Sequence, residues 1–84
     1  MHKRKYLMTK ITPKSGVLRN VHVGILDREC TIGYLGLGSS AIFDYELNGE
    51  PRSIRTSYVM EIKQTDGLLV IETRNTVYEL EVIE

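Results

Sequence analysis

Asp66-Gly67, set between the runs Tyr58–Ile62 and Leu68–Ile71, most constrains what this 84-residue chain can fold into. Asp-Gly between two alternating apolar runs marks a two-residue hairpin of the I′ kind, which needs positive φ at both central positions. With Thr65 and Leu68 flanking the turn, Ile62 faces Ile71 and Met60 faces Thr73. A weaker turn at Arg74-Asn75, where only Asn tolerates positive φ well, sets Ile71 against Tyr78 and Leu69 against Leu80. Both registers place Tyr58, Met60, Ile62, Leu69, Ile71, Tyr78 and Leu80 on one face. Glu61, Lys63, Glu72, Glu79 and Glu81 fall on the other. A slip of one residue in either hairpin would set one strand's apolar residues on its neighbour's charged face.

Asn48-Gly49 marks a third hairpin, in which Phe43 faces Ile54 and Tyr45 faces Arg52. Counting by twos from Ile54 through Thr56, Tyr58 and Met60 to Ile62 keeps the inner face unbroken. Pro51 cannot donate to a ladder and suits a turn flank. Upstream, Tyr6–Thr12 reads as a strand, Pro13–Gly16 as a loop, Val17–Leu26 as a strand and Glu29–Leu35 as a short strand. Ser39 or Ser40 is placed to cap one helical turn over Ala41-Ile42-Phe43. The expectation is an all-β fold: a small antiparallel barrel or sandwich of about six or seven strands, with a C-terminal meander and at most one short helical turn. Residues 1–5 form a basic, flexible N-terminus, and residues 6–84 a single β domain.

Val59, Leu68, Val70 and Val77 fall among the charged residues of the outer face. An outer face that is partly apolar calls for a cover, and so short a chain has a small core. A homo-oligomer is therefore expected.

Charge is unevenly distributed. Residues 1–26 hold six bases and no acid, and the remainder holds five bases against eleven acids, so the two parts carry +6 and −6. Such asymmetry marks either a nucleic-acid-binding arm or two complementary surfaces. The single cysteine, Cys30, excludes an internal disulfide and fits a reducing, cytoplasmic setting. No run approaches the roughly 18 apolar residues of a membrane helix, and no apolar signal-peptide core follows the basic N-terminus. His2, His22 and Cys30 lack zinc-ligand spacing, and no serine lies in a nucleophile elbow. A non-enzymatic protein without cofactor or metal is expected.

Two segments carry binding chemistry. Gly36, Gly38, Ser39 and Ser40 offer backbone amides and hydroxyls that can cradle an anion. The segment lacks the lysine of a phosphate-binding loop, and its spacing is not that of a dinucleotide fingerprint. Its glycines equally suit bulges and tight bends of a curved sheet. Arg52, Arg55, Thr56 and Ser57 form a second strip, in which guanidinium forks match phosphate or carboxylate. Alternation puts Arg52 and Arg55 on opposite faces. Each also has a structural use, Arg55 diagonal to Asp44 and Arg52 against Tyr45. Pairing about Asn48-Gly49 sets Ile42 opposite Arg55 and Ser40 opposite Ser57, which makes the two segments cross-strand neighbours. A third set, Arg74, Asn75, Thr76 and Tyr78, is polar and aromatic, but Asn75 reads most simply as a turn residue and Tyr78 as core.

The run Thr56-Ser57-Tyr58-Val59, the Asp66-Gly67 hairpin and the stretch Thr73-Arg74-Asn75-Thr76-Val77-Tyr78-Glu79-Leu80 resemble the ending of small β-rich proteins of bacteria and phages. Those proteins end in Thr-Ser-x-Val, a hairpin, then Thr-x-Asn-Ser/Thr-x-Tyr-x-Leu. The resemblance covers about the last third of the chain and implies a setting, an accessory protein, rather than a chemistry. Three functions follow as expectations. The first is a binding module for a phosphate-bearing small ligand such as a nucleotide signal. The second is a protein-interaction module or inhibitor of a host protein. The third is nucleic-acid binding through the basic N-terminal third.

Overall fold

A computed structural model describes residues 4–83. Six strands, β1 (Tyr6–Pro13), β2 (Glu29–Tyr34), β3 (Ser40–Leu47), β4 (Glu50–Thr65), β5 (Leu68–Thr73) and β6 (Thr76–Val82), close into an antiparallel barrel in chain order. β6 returns to β1 along most of its length, from Tyr6↔Val82 to Pro13↔Thr76. The all-β expectation holds, in its barrel form. The expected flexible end, residues 1–5, lies mostly outside the described residues, as does His2.

The C-terminal meander has the expected pairs Ile62↔Ile71, Leu69↔Leu80 and Ile71↔Tyr78. The β3–β4 hairpin has Phe43↔Ile54 and Tyr45↔Arg52. Its turn has positive φ at both Asn48 and Gly49, as a I′ turn requires. The Asp66-Gly67 turn differs from expectation: among its two residues only Gly67 has positive φ. The Arg74-Asn75 turn has none. It is held instead by the buried Thr73 side chain, whose Oγ1 donates to Thr76 O at 2.7 Å and accepts from Thr76 N–H at 3.1 Å.

The main departure lies in the middle of β4. Ser40 pairs with Tyr58 rather than Ser57, and Thr73 with Val59 rather than Met60. Between Ile42↔Arg55 and Ser40↔Tyr58, β4 has one residue more than β3. Between Val59↔Thr73 and Glu61↔Glu72 it has one residue more than β5. Two bulges therefore flank Tyr58 and Val59. Each extra residue turns the side chains over, so the second undoes the first. Ile54, Thr56 and Ile62 keep the inward parity that simple alternation assigns, while residues 58–60 are inverted. Val59 is 2% exposed, and Tyr58 and Met60 are each 60% exposed. The placement of Tyr58 and Met60 on the inner face, and of Val59 on the outer, is thus corrected.

Two further corrections fall upstream. Asn20–Ile25, read as part of a strand, is a short helix, α1. His22 and Ile25 lie three residues apart and both are buried, while Val21 and Val23 face outward. The β-branched valines suggest a strand, but the buried i, i+3 pair is satisfied only on a helix, and packing overrides propensity. No helical turn forms over Ala41-Ile42-Phe43, which lies inside β3. Met8, Ile25, Phe43, Ile71 and Leu80 are the largest wholly buried apolar side chains, and α1 contributes one of them to the barrel core. Among the described residues no helix is long and apolar enough to cross a membrane.

Glu61 and Glu72 do face each other across β4 and β5. Each has its own lysine: Lys63 Nζ lies 3.0 Å from Glu61, and Lys14 Nζ 2.8 Å from Glu72. Both pairs are exposed, so they relieve like-charge repulsion more than they add stability.

Four substitutions test this arrangement. Val59→Asp should unfold the barrel, whereas Met60→Asp, one residue along the same strand, should change stability little. Ile71→Ala should cost about 2–5 kcal/mol, and Glu79→Lys should be tolerated. Urea denaturation of the four variants checks the set. Equal losses at positions 59 and 60 would mean that β4 is not bulged.

Candidate functional site

The loop from β1 to α1 crosses the barrel beside β4 and the β5–β6 turn. Lys14 N–H donates to Asn75 O at 2.8 Å, which ties the start of that loop to the turn. Between them is a cavity of about 290 Å³. Its cationic wall is Lys14, Arg19 and Arg55, and its polar wall includes Ser57, Asn75 and Thr76. Ile54, Val17 and Val21 add apolar surface, and His22 and Tyr78 complete the lining. No aspartate or glutamate lines it. Lys14 is paired with Glu72, but Arg19 and Arg55 have no ion-pair partner among the described residues.

His22 and Tyr78 connect the cavity to the core. Arg19 N–H donates to His22 Nδ1 at 3.3 Å, and His22 Nε2 lies 3.4 Å from Tyr78 Oη. Because Nδ1 accepts, the neutral ring has its proton on Nε2, directed at the tyrosine oxygen. Tyr78 in turn packs edge-on against Phe43, with ring centroids 5.2 Å apart. Burial first, and the Arg19 guanidinium second, hold the His22 pKa below its ordinary 6.5. Burial raises that of Tyr78, opposed by a hydrogen bond to Thr76 and by Arg19.

The expected ligand-binding residues separate into groups. Arg55 and Ser57 line the 290 Å³ cavity. Ser57 Oγ accepts from Asn75 N–H at 3.0 Å, which leaves its own proton to donate. Thr56 also borders the cavity, but its hydroxyl is engaged twice, accepting from Ala41 N–H at 2.9 Å and donating to Ser57 O at 2.7 Å. It fastens the first β4 bulge. Ser40 faces a neighbouring depression that it shares with Ser57. In the glycine loop, Gly38 N–H donates to Val59 O and Ser39 N–H to Gly36 O. Gly38 has φ near +81°, so the loop needs glycine there to turn back against the second bulge. These two amides serve the fold, and Gly36, Gly38 and Ser39 border none of the concavities described here. Arg52 lies apart, 3.2 Å from Glu50, on a broad concavity of about 760 Å³ bordered by both acids and bases. The possible Arg55–Asp44 pairing does not form: Asp44 Oδ1 accepts from Ser53 Oγ at 2.6 Å.

Sequence reading missed Lys14, Arg19 and His22 as wall residues, and took Asn75 for a turn residue only. The acid-free N-terminal third is the one signal that points to the first two. Cys30, which also borders the broad concavity, is buried, and burial pushes its thiol up to about 11.

The His22 arrangement predicts a pH dependence. A histidine whose pKa is lower in the folded state takes its proton more readily when unfolded. Stability is then complete above the unfolded value near 6.5 and falls as pH drops below it. Melting temperature should decline between about pH 7 and pH 5.5, and His22→Gln should flatten that decline. Glu72, held low by its hydrogen bond to Lys14, titrates below this window.

Comparison of the chain with known protein families, with curated proteins and with solved structures finds no significant match.

Proposed function

We propose that this barrel is a non-enzymatic binding module for a small phosphate-bearing ligand, taken up in the cavity between the β1–α1 loop, β4 and the β5–β6 turn. The observation that carries this reading is that two arginines without an ion-pair partner among the described residues, Arg19 and Arg55, line one concavity that has no acidic lining. Arginine presents several N–H donors in a fixed plane, a geometry that matches phosphate oxygens. The Ser57 hydroxyl and the Asn75 side chain line the same cavity and add neutral donors. The cavity is partly enclosed and at the small end of ligand sites. In this cavity Arg55 and Ser57 take the ligand-binding role expected of them, with Arg19 in place of the glycine loop as their partner.

A second reading, a protein-interaction module, is favoured by the exposure of Leu37, Tyr58 and Met60 around the backbone of Val59. Exposed aromatic and methionine side chains near arginines suit an interface core. The homo-oligomer belongs with this reading. It rests on those residues and on half-buried Val70 and Val77, not on Val59, which is buried.

A thermal-shift screen with inorganic phosphate, pyrophosphate and nucleoside phosphates separates the two. Stabilisation of the wild type is expected, and Arg55→Ala and Arg19→Ala should each weaken binding by about 1.5–3 kcal/mol, the loss of a charge-assisted hydrogen bond. Neither variant should lose stability without ligand, since neither side chain has an ion pair to break. Equal stabilisation of all three proteins, or of none, would overturn the phosphate site. Light scattering that shows a monomer at tens of micromolar would remove the homo-oligomer.

A further inference from the structure

A second depression, of about 380 Å³, adjoins the Arg19–Arg55 cavity and is lined by Ser40, Ser57, Tyr58, Arg74 and Asn75. Ser57 and Asn75 border both. The β5–β6 turn is stitched to β4 at this boundary by two successive bonds, Arg74 N–H to Tyr58 O at 2.9 Å and Asn75 N–H to Ser57 Oγ at 3.0 Å. The shared residues therefore form a fixed ridge between two hollows. The second hollow, like the first, has no acidic lining, and Arg74 has no ion-pair partner among the described residues. It also has what the first lacks, an exposed aromatic ring. Tyr58 is turned out by the bulges on either side of it, and its backbone is anchored to Ser40 and Arg74. A strand that bulges twice to present one tyrosine beside an arginine re-aims that side chain.

We propose that the second hollow is a subsite for the other half of a two-nucleotide ligand. This rests on the phosphate reading of the first cavity. One phosphate lies between Arg19 and Arg55. The chain of the ligand crosses the Ser57–Asn75 ridge, and the second unit stacks its base on Tyr58 with its phosphate toward Arg74. An aromatic face accepts any base by stacking, and the arginine supplies the charge that a phosphodiester needs. A mononucleotide fills the first hollow alone and leaves Tyr58 and Arg74 unused.

The experiment is calorimetric titration with adenosine monophosphate, 5′-phosphorylated adenylyl-adenosine and a six-nucleotide oligoadenylate. The dinucleotide should bind about tenfold or more tightly than the mononucleotide, the gain from one stacked base. Tyr58→Ala and Arg74→Ala should each remove most of that advantage without changing mononucleotide affinity, and Tyr58→Phe should keep it. Arg55→Ala should weaken both. A dinucleotide that binds no better than the mononucleotide, or an advantage that survives Tyr58→Ala, overturns the second subsite and leaves the Arg19–Arg55 site standing. Failure of both nucleotides to bind removes both. An oligoadenylate that binds more tightly than its number of overlapping dinucleotides accounts for overturns the two-unit limit in favour of a continuous single-strand groove.

Discussion

The structure depends on how β4 bends. This one strand pairs with β3 along its first half and with β5 along its second. A strand shared in this way must change direction, and an extra residue in the ladder is the usual means. β4 has two. Thr56 fastens the first by holding the Ala41 amide. The glycine loop fastens the second through Gly38 N–H to Val59 O and Val59 N–H to Ser39 O. The bonds that hold these two bulges thus turn Val59 into the core and Tyr58 away from it.

The candidate site is a consequence of that bend. The β5–β6 turn lies against β4 where it is bulged, so Arg74 and Asn75 meet Tyr58 and Ser57. From the other side the β1–α1 loop brings Arg19, and α1 brings His22. His22 links this surface to the barrel interior, since its ring receives the Arg19 amide and reaches Tyr78, which packs on Phe43. The carboxylates Glu61 and Glu72 are each matched by a lysine. Arg19, Arg55 and Arg74, which have no ion-pair partner among the described residues, line hollows without acidic residues.

Much of the fold is legible in local chemistry. Asn48-Gly49 and Asp66-Gly67 locate two hairpins, and the alternation of Leu69, Ile71, Tyr78 and Leu80 identifies the inner face of β5 and β6. Those signals lie within a few residues of the structure they specify. The inverted segment of β4 is not legible, because its two insertions cancel. Phe43↔Ile54 and Ile62↔Ile71 agree with unbroken alternation, and nothing between them records the double crossing. The α1 helix was hidden for a related reason: valine suits a strand, and only the seat that the barrel provides for His22 and Ile25 selects the helix.

By itself, then, the sequence determined an antiparallel all-β chain, its hairpin registers next to the turns, and an acid-free N-terminal third. These follow from turn geometry, side-chain alternation and composition, which are local or summed properties. Only the tertiary structure decided which arginines share a hollow, whether the Gly38 and Ser39 amides are available, and which way Tyr58 faces. Each of these depends on barrel closure, which brings residues 14–22, 55–58 and 74–78 together. The physical reason is that a β-strand's two faces are equivalent until packing distinguishes them, and in β4 the bulges required by closure made that choice.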